Sequence, residues 1–305
     1  MLSVCRLSVA GVMTCGDNSR NGKSPRTGAN CVASVDQGGV VRPPGRAYGA
    51  QWTSCWYPGV DVDVNTEFER AAGHFADVAR GRDWSTAVPT CPGRDVNRIV
   101  GHLGRLAAWT EILVSTNAAE PVEFDQAGLA PPEALEDRQR WLDDKLAAAV
   151  KTFRATPDES PVWTLAPNGT ARFWKRRVLH ELVVHAVDIE IAYHLAITPI
   201  DTAVAQDGID EFLDLLPHAP RLDGTVGAGA PARLALVGPG EQWHIDWVPP
   251  GFSWHRGLRE ESSDVRVAAR SMQDLYLYAY GRPASRIETR GDHDALDRWR
   301  LATQL

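Results

Sequence analysis

The sequence lacks any apolar run of the roughly 18 residues or more that a membrane-spanning helix needs, and it has no H-E-x-x-H motif and no C-x-x-C pair. These absences exclude a helical membrane protein, a zinc protease of the common type and a thiolate zinc knuckle. Surplus positive charge is missing too: 32 Lys and Arg face 39 Asp and Glu, a net charge of −7, so neither nucleic acid nor an anionic membrane surface is expected as a partner. Cysteine is scarce and clustered. Four of the five cysteines (Cys5, Cys15, Cys31, Cys55) fall in the first sixty residues, which leaves Cys91 expected as a free thiol in a reducing, cytoplasmic protein. What is present is a globular composition, 44% hydrophobic, with 11 tryptophans spread from Trp52 to Trp299. Such aromatic content points to core packing and to pocket walls.

Composition divides the 305 residues into three parts. Residues 1–60 carry six Lys/Arg against two Asp/Glu, show no periodicity and are rich in turn formers, so this tract is expected to be disordered or to precede the mature protein. Its mildly apolar segment, Leu7–Met13, is short for a signal peptide. Residues 61–198 read as a helical bundle. Residues 199–305 read as a small α+β domain, giving an α+β fold class with the bundle first.

Within the bundle, apolar spacing predicts helices over Asn65–Arg80, Val96–Val114 and Glu133–Phe153, with Asp95 placed to cap the second. A further helix, Asp201–Leu216, leads to the second domain. There the pattern shifts to period two at ARLALVG, QWHIDWV and DVRVAA, followed by short helices at Ser271–Tyr280 and His293–Leu301 around a last strand at Arg286–Thr289. Trp243, Trp247, Phe252 and Trp254 read as core, with a small-ligand pocket as the alternative.

The chemistry concentrates in Ala171–Leu195, ARFWKRRVLHELVVHAVDIEIAYHL. Val178, Leu182, Val183, Ala186, Val187, Ile189 and Ala192 cover most of its circumference, so this helix is expected inside the bundle. Glu181, His185 and Asp188 fall within an arc of roughly 60°. A carboxylate on such an apolar-flanked line must meet a cation, a hydrogen-bond donor or a proton. Glu181 and His185 suit a divalent metal, whereas His180 and His185 lie about 140° apart around the helix and do not share an ion easily. A buried Glu–His hydrogen bond beside Arg177 is the other reading of the pair. His102, at the edge of the second helix's apolar stripe, is the natural third ligand. Metal ligands on facing helices are a known way to build a site in a bundle.

Four stretches, VPTCPGRDVNRIVGHLGRLAAW (Val88–Trp109), RFWKRRVLHELVVHAVDIEIA (Arg172–Ala192), DGIDEFL (Asp207–Leu213) and YGRPASRIETRGDHDALDRW (Tyr280–Trp299), together resemble the mycothiol-dependent maleylpyruvate isomerase family, whose N-terminal part is a DinB-like four-helix bundle. The resemblance implies zinc held by His102, Glu181 and His185, with an open position for the thiolate of mycothiol. It implies that the thiolate adds to the cis double bond of a small unsaturated acid and that elimination returns the trans product. Arg282, in the Tyr280-Gly281-Arg282 turn, is the expected clamp for the substrate carboxylate, since Arg binds carboxylates bidentately. Two other readings stand beside this one: transfer of the thiol to an electrophilic small molecule, and a non-catalytic, metal-stabilised protein that binds a small ligand. The expected partners are a small substrate and a low-molecular-weight thiol, with the chain acting as monomer or homodimer.

Overall fold

Most helices of this chain begin where a side chain can accept one of the N–H groups left unpaired at a helix start. Asp63 accepts from the Thr66 amide, Asp95 from Arg98, Asp201 from Ala203, Ser271 from Asp274 and Asp292 from Ala295. The computed structural model describes residues 62–123, 129–166, 169–218, 231–248, 251–257 and 261–303. The expectations for residues 1–60 lie outside them. The described elements are α1 (Val64–Ala79), α2 (Val96–Ser115), α3 (Leu135–Ala155), α4 (Ala171–Ala192), α5 (Thr202–Leu215), β1 (Ala232–Gly238), β2 (Glu241–Val248), β3 (Gly251–Gly257), β4 (Val265–Ala269), α6 (Met272–Ala279), β5 (Ile287–Gly291) and α7 (His293–Ala302). The class is α+β, and among the described residues no helix is long and apolar enough to cross a membrane.

Helices α1 to α4 pack as a four-helix bundle, α1 against α4 and α2 against α3, with further α2–α4 and α1–α3 contacts. Phe68 and Phe75 of α1, Ile99 and Leu103 of α2, Leu142 and Phe153 of α3, and Leu179 and Leu182 of α4 form its core. Full burial of each such side chain contributes about 1.5–3 kcal/mol. The α2–α3 seam is closed by the Trp141 ring lying on Gly104, where a Cβ would come 2.2 Å from the indole. Gly104→Ala is therefore expected to destabilise the protein by about 1–3 kcal/mol through overpacking. A urea melt with a lower midpoint and an unchanged slope is the check.

The remaining elements form a five-stranded sheet in the order β3-β2-β1-β4-β5, antiparallel except for β1 beside β4. Trp243, Ile245 and Trp247 point into a second core with α5, α6 and α7. The two tryptophans are thus core. Trp254 is partly buried against that same core, and the side chain of Phe252 lies outside the described residues.

Strand β3 departs from the sequence reading, in which no strand was expected there. Glycines at both ends and polar Ser253, His255 and Arg256 obscure its alternation, and it forms by pairing with β2, Trp254 opposite Ile245.

Helix α4 belongs to both cores. Leu179, Leu182, Ala186 and Ile189 face the bundle, while Val184 and Val187 join the core under the sheet. The all-round burial expected for this stretch is what the fold uses. The buried polar groups of α4, among them His180, Glu181, His185 and Asp188, consequently have no solvent to turn to and must find partners inside.

Candidate metal centre

Three side chains from α2 and α4 converge where the helices face each other. Glu181 Oε2 lies 3.3 Å from His102 Nε2 and 3.2 Å from His185 Nε2, and the two imidazole rings meet edge to face at 5.6 Å. The donor atoms lie within 4.8 Å of one another. Glu181 and His185 are buried, and His102 keeps 15% of its side-chain surface exposed. His185 Nε2 is buried and, despite its closeness to Glu181, has no hydrogen-bond partner. An orphaned imidazole nitrogen of this kind is costly unless it binds something.

A second layer fixes each of these groups. His185 Nδ1 is 2.7 Å from Asp188 Oδ2, so Nε2 is the nitrogen turned toward the cluster. Asp188 is held in turn by Arg282, whose Nε and Nη2 donate to its two oxygens at 2.9 and 2.6 Å, and by the Thr90 hydroxyl at 2.6 Å. Arg177 donates to Glu181 Oε1, leaving Oε2 for the histidines, and its Nη1 donates to both oxygens of Glu211 at 2.7 and 2.8 Å. The Tyr280 hydroxyl donates to Glu211 at 2.6 Å.

The charges set the protonation states. Burial would raise the Glu181 carboxyl, but the Arg177 guanidinium, the His102 hydrogen bond and the nearby His185 imidazole hold it well below the usual range. Burial also pushes His102 down, toward the neutral form that a metal ligand requires. For His185 burial acts in the same direction, yet the hydrogen bond to Asp188 and the nearby Glu181 carboxylate prevail and keep its pKa above the ordinary value. The site thus attracts a cation at His185. Three buried carboxylates (Glu181, Glu211, Asp188) face two guanidiniums (Arg177, Arg282), which leaves one negative charge for that cation to offset.

The structure therefore brings His102, Glu181 and His185 together. It places Arg282 behind them, buried, with all three guanidinium nitrogens donating: two to Asp188 and Nη1 to the Tyr280 carbonyl at 2.8 Å. His180 joins a separate network, with Nε2 2.9 Å from Asp207 and Nδ1 3.3 Å from the Tyr276 hydroxyl. Cys91 corrects an expectation: it is disulfide-bonded, not a free thiol. Its sulfur lies 3.4 Å from Asp188 Oδ2, and a disulfide sulfur is not the thiolate that binds metals. Glu211 and Tyr280 were missed altogether. They reach the site from α5 and from the end of α6, and no spacing along α4 signals them.

A cavity of about 180 Å³ lies on the opposite face of α4, lined by Leu179, Leu182, Val183 and Val187 with His74 and Glu190. None of the three clustered residues lines it, so cavity size does not mark the chemistry here.

A four-helix bundle carrying a two-histidine, one-carboxylate cluster, joined to a mixed sheet, defines a class of helical-bundle protein with a metal-type site. Residues 64–190 match the family described as the mycothiol maleylpyruvate isomerase N-terminal domain, a stretch that spans α1 to α4 almost entirely and contains all three clustered residues. Residues 64–190 thus carry a domain of that family, and the rest of the chain lies outside the match. No curated protein matches the chain. Among solved structures, the mycothiol-dependent maleylpyruvate isomerase and a histidine-to-alanine mutant of it are similar, with TM-scores of 0.50 and 0.52 at 14% identity. Each alignment covers 74% of this chain and 91% of the other. What is shared at that identity is the fold.

Proposed function

We propose that this chain is a metal- and thiol-dependent enzyme in which His102, Glu181 and His185 hold a divalent cation and mycothiol serves as a reversible nucleophile toward a small cis-unsaturated acid. The observation that carries the reading is the buried, unpartnered Nε2 of His185, fixed by Asp188 and aimed at Glu181 and His102. Two imidazoles and one carboxylate suit zinc with a position left open. When bound, such an ion supplies Lewis acidity that brings a thiol's pKa toward neutrality.

The chain's own groups prepare that site. Arg177 holds one oxygen of Glu181 and presents the other; Asp188 fixes the His185 tautomer; Arg282 holds Asp188. The one negative charge left by the carboxylates and guanidiniums becomes one positive charge once a dication is present, which favours an anionic nucleophile over a neutral one. Mycothiol, when bound, would supply the nucleophile whose reversible addition to the alkene permits cis-to-trans rotation.

Arg282 as the substrate's carboxylate clamp requires its Asp188 pairing to open. That occupied guanidinium favours a second reading on the same site, thiol transfer to an electrophile that carries no carboxylate.

Elemental analysis of wild type beside His185→Ala, with assays of both proteins, tests both readings. We expect His185→Ala to hold about one zinc per chain fewer than wild type, and mycothiol-dependent conversion of maleylpyruvate by wild type only. Conjugate formation with an alkyl halide and no isomerisation supports the second reading. A metal-free wild type inactive in both assays, with zinc added, removes both.

A further inference from the structure

A second cluster of ligand-type side chains sits far along the chain from the first, on the sheet. Trp243 and Ile245 of β2 point into the core, so His244 between them projects from the opposite face. The β2–β3 register sets His255 directly across from His244, and the two rings stack at 5.1 Å with an interplanar angle of 25°. Glu261, on the segment leading to β4, places Oε1 3.2 Å from His255 Nε2. One donor atom from each of the three lies within 4.8 Å of the others.

Two observations separate this cluster from a surface coincidence. His244 is only 6% exposed, and its Nε2 is buried with no hydrogen-bond partner. Beside that nitrogen β3 carries Gly257, where a Cβ would stand 3.6 Å from Nε2, so no side chain occupies that flank. His255 and Glu261 keep 37% and 53% of their side-chain surface exposed, which gives an ion a way in from solvent.

We propose that His244, His255 and Glu261 form a second divalent transition-metal site, one that ties the edge strand β3 and the segment before β4 to β2. Two imidazoles and a carboxylate select zinc, cobalt(II) or nickel(II) over calcium or magnesium, which prefer all-oxygen shells. The site shares no residue with the bundle cluster. Its role is structural: an edge strand is held by a partner on one side only, and the ion adds a cross-link there.

The test uses the full chain in a His185→Ala background, which removes the bundle site whatever that site does. Co²⁺ binding is measured by equilibrium dialysis and by visible absorption. We expect about one Co²⁺ per chain in His185→Ala, none in His185→Ala/His255→Ala, and affinity weakened about tenfold or more in His185→Ala/Glu261→Gln. Both added substitutions are at part-exposed residues, and unchanged melting of the metal-free variants shows that the fold is kept. Absence of Co²⁺ from His185→Ala, or a count unmoved by His255→Ala, overturns the proposal.

Discussion

Asp188→Ala is expected to lower the stability of the metal-free protein by about 3–5 kcal/mol and to weaken metal binding at His102, Glu181 and His185 by about 10–100-fold. Both effects follow from its position between Arg282 and His185. Removing the carboxylate leaves the buried Arg282 guanidinium without its counter-charge and frees His185 to turn or change tautomer. Asp188→Asn keeps an acceptor for His185 and should spare more of the affinity than of the stability. The pH dependence carries a sign. Burial pushes the Asp188 carboxyl up, but the Arg282 charge and the His185 hydrogen bond override it and hold the group well below the usual range. Its contribution is therefore complete above an unfolded-state pKa of about 3.9 and is lost as pH falls toward the folded value. Urea melts across acid pH should show a slope in wild type that is shallower in Asp188→Ala. A loss of less than about 1 kcal/mol, the size expected of an exposed pair, would contradict the buried network described here.

Arg177→Met is expected to have a comparable effect on stability and an opposite relation to metal. Arg177 is the shared counter-charge of Glu181 and Glu211, and its removal strands two buried carboxylates. The cost is about 3–5 kcal/mol, a drop in Tm on the order of 10 °C for a protein of this size. A dication at the bundle cluster restores positive charge beside Glu181, so added zinc should raise the Tm of Arg177→Met more than that of wild type. Equal zinc shifts in the two proteins would show that Glu181 does not contact the ion, and an unchanged Tm without metal would show that the Arg177 contacts are weak.

Much of this site was legible because its geometry is local. Glu181, His185 and Asp188 share about two turns of a single helix, and 3.6-residue periodicity projects them onto one line without knowledge of the tertiary structure. His102 was reachable because α2 and α4 both show strong helical patterns, and apolar helices of that length are expected to pack. Glu211 and Tyr280 were not reachable, since their contacts cross 34 residues from Arg177 and 69 residues from Glu211 to Tyr280. Arg282 was selected for its chemistry, but spacing could not reveal that Asp188 occupies it. Strand β3 failed for a different reason: an edge strand with glycine at both ends carries little hydrophobic signal, and its register comes from β2. The disulfide at Cys91 follows the same logic, because a cross-link made through space leaves no mark on local pattern.

The position of α4 between two cores has an evolutionary consequence. A helix with one solvent face can drift there freely, and a family can use that drift to tune a neighbouring site. Here most of α4 is committed, to α1–α3 on one side and to the sheet and its helices on the other, so away from the cavity beside Val183 and Glu190 a substitution disturbs a packed neighbour. Change is then expected first at the part-exposed rim beside His102, while the buried stretch that carries Glu181 and His185 stays almost frozen. Divergence within this architecture is channelled to the rim of the site and kept away from its floor.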